Sequence, residues 1–533
     1  MPRIITAASN KSTRRRLVGT ILFIALLLSL LYIFRTITIT RITPIDLKEV
    51  TLHEIKTISF QTSLPNGLRD ISPRVEASTL VLYAEPRDFD PGLIEELDLD
   101  LPDFVPWSSI DTGHDGPLRS ATVSFRPDSY DVKAPVIMFG VATTLQRLGK
   151  SLDAFAHWAA NNRTIIVASI PTVQPNAEDI GSSVMYTHTR FHYPTQPLSV
   201  ATVLAKASHL SVNLVIKQSS LEYTPRVVSL LKLLHDETEE LWAASNTVVS
   251  WGGIIDDDTF FPSSARLSRA LSAYNASQPH YIGGLTEDFR QAYQWGYFAF
   301  GGAGIFLSIA LLAQLQPYVE VCLGDMIIPS GDQKIAECIY KHTTTKFTVL
   351  SDLHQVDLRG DQTGFYEAVR PLPISVHHYK SWAHYDMVST SYIAEVTGQE
   401  SIFQKYHFSN GWWMTHGFSI VKYSDEDVDG ENLPDNIGQG EITANGKTIW
   451  QPPKSRLSHR EGAMEYTFDA PDIDDQSFWH SVAPLRPKDP GKQQYLLESV
   501  VKESDSTMTM YYVRRENGIG QSVIRVIWAS KSA

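Results

Sequence analysis

The chain has 533 residues, 43% of them apolar and 20% charged, and a formal net charge of −13. That composition is globular, and the length suits one large domain with extensions. The acidic balance argues against a generally basic nucleic-acid-binding surface, so no nucleic-acid partner is expected.

Leu17 to Phe34 reads LVGTILFIALLLSLLYIF, eighteen residues without a charge. That is the lower limit for a helix crossing a bilayer. Lys11 and Arg14-Arg15-Arg16 precede it, and Arg35-Thr36-Ile37-Thr38 follows without the small residues of a cleavage site. The pattern predicts an uncleaved signal-anchor at 17–34, a cytosolic tail at 1–16, and a lumenal remainder. A short span suits Golgi or other secretory-pathway membranes, giving a single-pass type II protein. In that oxidising space Cys322 and Cys338, the two cysteines of the chain, are expected as a disulfide worth about 3 kcal/mol, the alternative being two buried thiols. Asn162 and Asn275 open glycosylation sequons.

Residues 35–127, with scattered prolines and acidic patches, read as a stem leading into the globular domain. Pro135 to Ala142 is an apolar run that predicts a buried strand. Thr143 to Asn161 carries Leu145, Leu148, Leu152, Phe155 and Trp158 on one helical stripe. Thr164 to Ile170 predicts a second strand, Arg226 to Ala243 a helix, and Thr247 to Trp251 with Ile254-Ile255 a strand running into Asp256-Asp257-Asp258. This alternation predicts an α/β architecture with a mostly parallel sheet and helices on both faces, its ligands bound beyond the carboxyl ends of strands. After about Tyr392 the texture is of short strands, aromatic clusters and loops. Residues 392–533 therefore read as a β-rich extension, with an acidic surface loop at 425–436 and paired strands at 508–513 and 523–528.

Three adjacent carboxylates repel one another unless something compensates them. A hard divalent cation does so and can bridge to a diphosphate. On extended backbone Asp256 and Asp258 point one way and Asp257 the other. The alternative is a solvated acidic turn. Phe300-Gly301-Gly302-Ala303-Gly304 precedes a predicted helix from Ile305 to Leu315, where glycines would let a ligand approach the helix N-terminus. Gly331-Asp332 opens a helix from Gln333 to Tyr340, with Asp332 placed as its cap. His377-His378 follows a strand-like run, Leu372 to Val376, so alternation would let one of the two face a given site.

These motifs occur in a specific order: strand-DDD, Tyr281-Ile282-Gly283-Gly284, Phe300-Gly301-Gly302-Ala303-Gly304, Cys322…Gly331-Asp332…Cys338, Asp352-Leu353-His354-Gln355 and Ser375-Val376-His377-His378. The ordered set resembles the Fringe-like β1,3-glycosyltransferases, glycosyltransferase family 31, in particular the Fringe-related proteins of plants and fungi, over roughly residues 134–386. The resemblance implies a GT-A fold, a Rossmann-like sheet around a nucleotide-sugar site, in a catalytic domain at 128–391. It implies a UDP-sugar donor, a glycan or glycoprotein acceptor and a manganese-type ion held by Asp258, Asp256 and His377. Asp332 would be the catalytic base. Asp256, Asp257, Thr143, Thr144, Gly301 and Gly302 would lie along the nucleotide-sugar. The activity implied is metal-dependent inverting transfer. A carbohydrate-binding protein on a transferase scaffold and a lumenal metal-dependent hydrolase are the competing readings. Sequence leaves donor sugar, acceptor and oligomeric state open.

Overall fold

The computed structural model describes residues 71–106, 119–126, 134–173, 198–423 and 491–530, apart from short internal stretches, and four short strands between 442 and 486. The described residues all belong to one compact unit, 63–533. The predicted anchor at 17–34, the acidic loop at 425–436 and Asn162 lie outside the described residues. Among the described residues no helix is long and apolar enough to cross a membrane.

The chain begins with β1 (Ile71–Pro86), β2 (Ile94–Leu97), β3 (Val105–Pro106) and β4 (Arg119–Phe125). The alternating part follows: β5 (Ile137–Ala142), α1 (Leu145–Ala159), β6 (Thr164–Pro171), α2 (Val200–His209), β7 (Leu214–Ser219), α3 (Tyr223–Ser245) and β8 (Trp251–Ile255). Next come α4 (Ser264–Ser272), β9 (Tyr281–Gly283), β10 (Ile305–Ser308), α5 (Ile309–Leu315), α6 (Val319–Gly324), α7 (Gly331–His342) and β11 (Phe347–Val349). Short helices α8 (Thr363–Glu367) and α9 (Met387–Tyr392) lead to β12 (Lys405–Phe408), β13 (Trp412–Thr415) and β14 (Ser419–Lys422). Two small pairs, β15 (Ile442–Ala444) with β16 (Lys447–Ile449) and β17 (Met464–Glu465) with β18 (Leu485–Arg486), precede β19 (Gln493–Ser504), β20 (Thr507–Glu516) and β21 (Ile519–Ser530).

Seven strands form the central sheet in the order β11-β9-β10-β8-β5-β6-β7. Only β10 runs antiparallel to its neighbours; the other pairings are parallel. Alternation along β5 divides its side chains between two cores. Ile137, Phe139 and Val141 join the α1 stripe of Leu145, Leu148, Leu152, Phe155 and Trp158. Met138 and Ala142 meet Leu230, Leu231 and Leu234 of α3 on the opposite face. The sheet is therefore covered on both sides, as parallel strands require.

The expected helix from Ile305 is corrected here. Ile305–Ser308 is a strand, and the helix starts at Ile309, capped by the Ser308 hydroxyl. Four apolar residues fit either period. Here the open edges of β8 and β9 decide, because β10 fills the gap between them. The glycine run thus precedes a strand, not a helix N-terminus. The run Leu372 to Val376 is also less than a strand, with isolated bridges from Ser375 to Leu353 and from Val376 to Phe260.

The segment read as a stem and the segment read as a C-terminal extension form one layer. β1 lies between β21 and β4, parallel to both, with Leu82 opposite Trp528. β2 pairs with β12, so a ten-stranded sheet draws on both ends of the chain. β20 and β21 pair as expected, Met508 opposite Trp528 and Val513 opposite Val523. This layer shares its core with the α1 side of the central sheet through Leu80, Tyr406 and Trp528.

Candidate active site

Asp256-Asp257-Asp258 leaves the carboxyl end of β8 in a turn closed by the Thr259 amide donating to the Asp256 carbonyl, 3.2 Å. The backbone here is a turn, not the extended stretch expected, and the turn itself separates the carboxylates. Asp257 points back towards α1, where Arg147 grips it with two hydrogen bonds of 2.7 Å and the Thr143 hydroxyl donates to it. Its backbone carbonyl accepts from Lys380 Nζ at 3.0 Å. Asp257 is thus neutralised and immobilised, and it fixes the turn.

Asp258 and Asp256 face His377. The imidazole Nε2 lies 3.0 Å from Asp258 Oδ1 and 3.4 Å from Asp256 Oδ2. The other ring nitrogen, Nδ1, lies 3.2 Å from the carbonyl of Gln355. A carbonyl only accepts, so Nδ1 carries the proton and donates it there. Nε2 is then either a second N–H or a bare lone pair aimed between two carboxylates.

The electrostatics are those of a site short of positive charge. Burial pushes Asp256 up to about 6, with Asp258, Asp257 and Asp332 adding to the push and His377 opposing it. Burial would also raise Asp258, but the charge and hydrogen bond of His377 hold it well below the usual carboxylate range. Burial opposes charge on His377, yet Asp258, its hydrogen bond and Asp256 lift the imidazole to about 9. A cation at Nε2 would meet a neutral imidazole and two carboxylates, with Nδ1–H fixed by a carbonyl behind it. That is the donor set and outer-shell support of a divalent-metal site, so the residues fit the expected ion.

His378 departs from strand alternation. Its φ of 60° breaks the extended backbone and turns its ring onto that of His377, centroids 3.8 Å apart. Asp258, His377 and His378 consequently offer ligand atoms all within 4.8 Å of one another. Both nitrogens of His378 are engaged, Nε2 with Asp357 Oδ1 and Nδ1 with Ser381 Oγ, each at 2.9 Å. His377 is therefore the imidazole directed at the aspartates.

Asp332 sits in the first turn of α7, half-buried. Its Oδ2 accepts from the Gly301 amide at 3.2 Å, and its Oδ1 accepts from the Gln333 amide at 2.9 Å and from the Ser330 hydroxyl. The glycine turn and the aspartate are thereby one unit. Gly304 has a φ of 104°, a conformation that suits glycine, and its amide closes the turn on the Gly301 carbonyl. The Gly302 carbonyl accepts from Thr259 Oγ1 at 2.8 Å, which ties the glycine turn to the aspartate turn. Thr144 is occupied as the cap of α1, accepting from the Arg147 amide. Cys322 and Cys338 are bonded, linking α6 to the helix that carries Asp332. Asn275 is exposed.

Sequence reasoning missed Arg147, Tyr223 and Lys380, and placed Gln355 within a motif without giving it a role. Arg147 had a readable signal: it stands four residues after Thr143, one turn into the helix leaving β5. Tyr223 opens α3 just past β7, with its hydroxyl 3.4 Å from Asp256 Oδ1. The charge of Asp256 and burial hold that phenol well above its ordinary range. The contacts of Gln355 with His377 and of Lys380 with Asp257 are tertiary, joining segments distant in sequence.

Residues 289–393 match a family described as a protein of unknown function, DUF604. Human chondroitin sulfate glucuronyltransferase is 23% identical over 164 residues, 27% of this chain and 21% of its own length. The match thus spans about a fifth of that curated relative. Among solved structures, a mannosyltransferase from Pyrobaculum calidifontis, in complex with GDP-mannose and Mn2+, is 10% identical, covering 43% of this chain and 59% of that one with a TM-score of 0.26. A glycosyltransferase involved in glycosylation of the major capsid of PBCV-1 is 9% identical, covering 46% and 93% with a TM-score of 0.25. These named proteins are glycosyltransferases, a broader group than the Fringe-like branch.

Proposed function

We propose that the chain is a metal-dependent GT-A glycosyltransferase that moves a sugar from a UDP-sugar to an acceptor hydroxyl with inversion, forming a β1,3 linkage in the Fringe-like manner. The observation that carries this reading is the convergence of Asp258, Asp256 and His377 Nε2 at the carboxyl end of β8. Asp258 and His377 would hold a divalent ion, manganese foremost, with Asp256 beside them. Such an ion neutralises charge on the leaving diphosphate.

The chain's own residues do the rest. Asp332 takes the proton of the acceptor hydroxyl as its oxygen bonds to the anomeric carbon and the bond from that carbon to the diphosphate breaks. The Gly301 and Gln333 amides orient the carboxylate for this task. One carboxylate suffices, because an inverting displacement needs no covalent enzyme intermediate. Asp257, clamped by Arg147 and Thr143, positions the turn instead of contacting the nucleotide. Thr144 and the glycine turn at 301–302 would border the donor. The same reading places the protein in a Golgi or other secretory membrane through residues 17–34, with the site lumenal, Asn162 and Asn275 as glycan attachment points and a glycan or glycoprotein as acceptor.

The test is a panel of UDP-sugars with full-length protein in detergent, with and without Mn2+, scored by UDP release and thermal shift. Asp258→Ala should lose transfer and the UDP–Mn2+ shift together. Asp332→Asn should keep the shift and lose about 10²–10⁴-fold in turnover. Transfer at the wild-type rate in both variants would sink the proposal. No response to UDP or Mn2+ would favour a binding protein, and sugar release faster without acceptor a hydrolase.

A further inference from the structure

A single exposed aromatic residue on a protein surface needs no explanation. Trp382 differs because it is exposed and locked at once. Its ring stacks on His378 with centroids 3.9 Å apart and planes 5° from parallel. His378 in turn lies against His377, centroids 3.8 Å apart and planes tilted by 34°, giving three rings in contact from the aspartates outward. The backbone closes the same arrangement: the Trp382 and Ala383 amides each donate to the His378 carbonyl at 3.1 Å. Both nitrogens of His378 are held, and its partner Asp357 is itself held by the Thr286 hydroxyl at 2.6 Å. Yet Trp382 remains 46% exposed.

His378 sustains a left-handed φ of 60°, a conformation disfavoured in a non-glycine residue. In exchange it stands between His377 and Trp382 and cannot swing. The outer face of the indole is therefore a flat, apolar, pre-ordered surface two rings beyond the candidate metal ligand His377. A pyranose presents just such an apolar face, its axial C–H bonds, while its hydroxyls point around the rim. Stacking on an immobile indole buries that face with little ordering entropy, because the side chain is already fixed.

We propose that Trp382 is a sugar-stacking platform at the mouth of the site, contacting the C–H face of a hexopyranose in the transfer reaction. This rests on the transferase reading above. The ring could belong to the donor sugar or to the acceptor glycan, and kinetics separate the two.

The experiment compares wild type, Trp382→Ala and Trp382→Phe in the full-length protein, varying donor and acceptor concentrations independently, with Mn2+ affinity measured in each. Trp382→Ala should raise KM at least tenfold for one substrate: donor if the donor sugar stacks, acceptor if the glycan does. Trp382→Phe should recover most of that loss, and Mn2+ affinity should stay unchanged. KM and kcat within twofold of wild type for Trp382→Ala would overturn the proposal. So would a fall in Mn2+ affinity without a change in KM, which would make Trp382 a prop for the histidines. If wild type transfers nothing, the reaction assignment has failed, and saturation-transfer NMR with hexose oligosaccharides tests the platform by itself. Sugar contacts seen in wild type and lost in Trp382→Ala would uphold it, and none in wild type would end it.

Discussion

Gly302 and His377 are packed so closely that a Cβ on the glycine would lie 2.1 Å from the imidazole Nδ1. The glycine turn therefore forms the wall that holds the ring against Asp258, and His377 cannot keep its place beside a larger residue. Gly302→Ala should push the ring off the aspartates. The expected result is a protein that folds with a loss of about 1–3 kcal/mol, as for other overpacked sites, and has lost its thermal response to Mn2+. A Gly302→Ala variant with wild-type Mn2+ affinity would show that His377 is not a ligand.

Arg147 and Asp257 make the other fixed contact of the aspartate turn. Asp257 is buried, while the arginine side chain is 51% exposed, so solvent screens part of the attraction. The cost of Arg147→Met should come from stranding a buried carboxylate more than from losing the pair. A loss of about 2 kcal/mol is expected, with Arg147→Met/Asp257→Asn recovering at least half of it. Denaturant melts of the four proteins in the cycle measure this. If the double variant is no better than Arg147→Met, Asp257 is not the group left stranded.

Parts of this arrangement were legible in the sequence because they are local. The stripe from Leu145 to Trp158 specified α1, and a buried run ending in three aspartates specified β8 and its site edge. Asp257 does point away from its neighbours, but a turn separates it and not the period of two of an extended strand. What was illegible depends on distant partners. Ile305–Ser308 became a strand only because β8 and β9 offered it two edges. β1 finds β21, with Leu82 opposite Trp528, and no local pattern announces a partner at that separation. His378 escaped alternation through a left-handed φ that no residue type around it signals. Arg147 was within reach, since a cation one helical turn after a strand end often serves the ligand edge.

Two histidines, His416 buried and His157 half-buried, set an acid limit. Burial lowers His416 to about 3 and His157 to about 4, although the Pro262 carbonyl pulls His157 partly back. In the unfolded chain both titrate near 6.5. Above that value neither state is charged and they contribute nothing to pH dependence. Below it the unfolded chain takes up protons that the folded chain refuses, so stability falls from pH 6.5 to about 4 by up to about 1.4 kcal/mol per pH unit for each histidine. His416→Gln should flatten that slope in melts at pH 7, 6 and 5, even if it lowers stability at pH 7. An unchanged slope would mean His416 is protonated in the folded protein.

Glu367 ties α8 to the ten-stranded sheet. It ends α8 and accepts from Lys492 at 2.5 Å, from Gln494 at 2.6 Å and from Ser419 at 2.9 Å, all on or next to the ten-stranded sheet. The Lys492 and Glu367 side chains are 7% and 1% exposed, so little solvent reaches the pair. Removing the lysine leaves a buried carboxylate with two neutral donors, which softens but does not abolish the cost. Breaking a buried pair typically costs about 3–5 kcal/mol, and Lys492→Met should fall near the lower end. Glu367→Gln in the same chain should restore much of it, because the neutral amide needs no counter-charge. The layers also share one core, so wild type and Lys492→Met should each unfold in a single calorimetric transition, with the variant at lower temperature. Two separated transitions in wild type would mean that the β-rich layer is an independent module. Catalysis would then have to be tested with that layer removed.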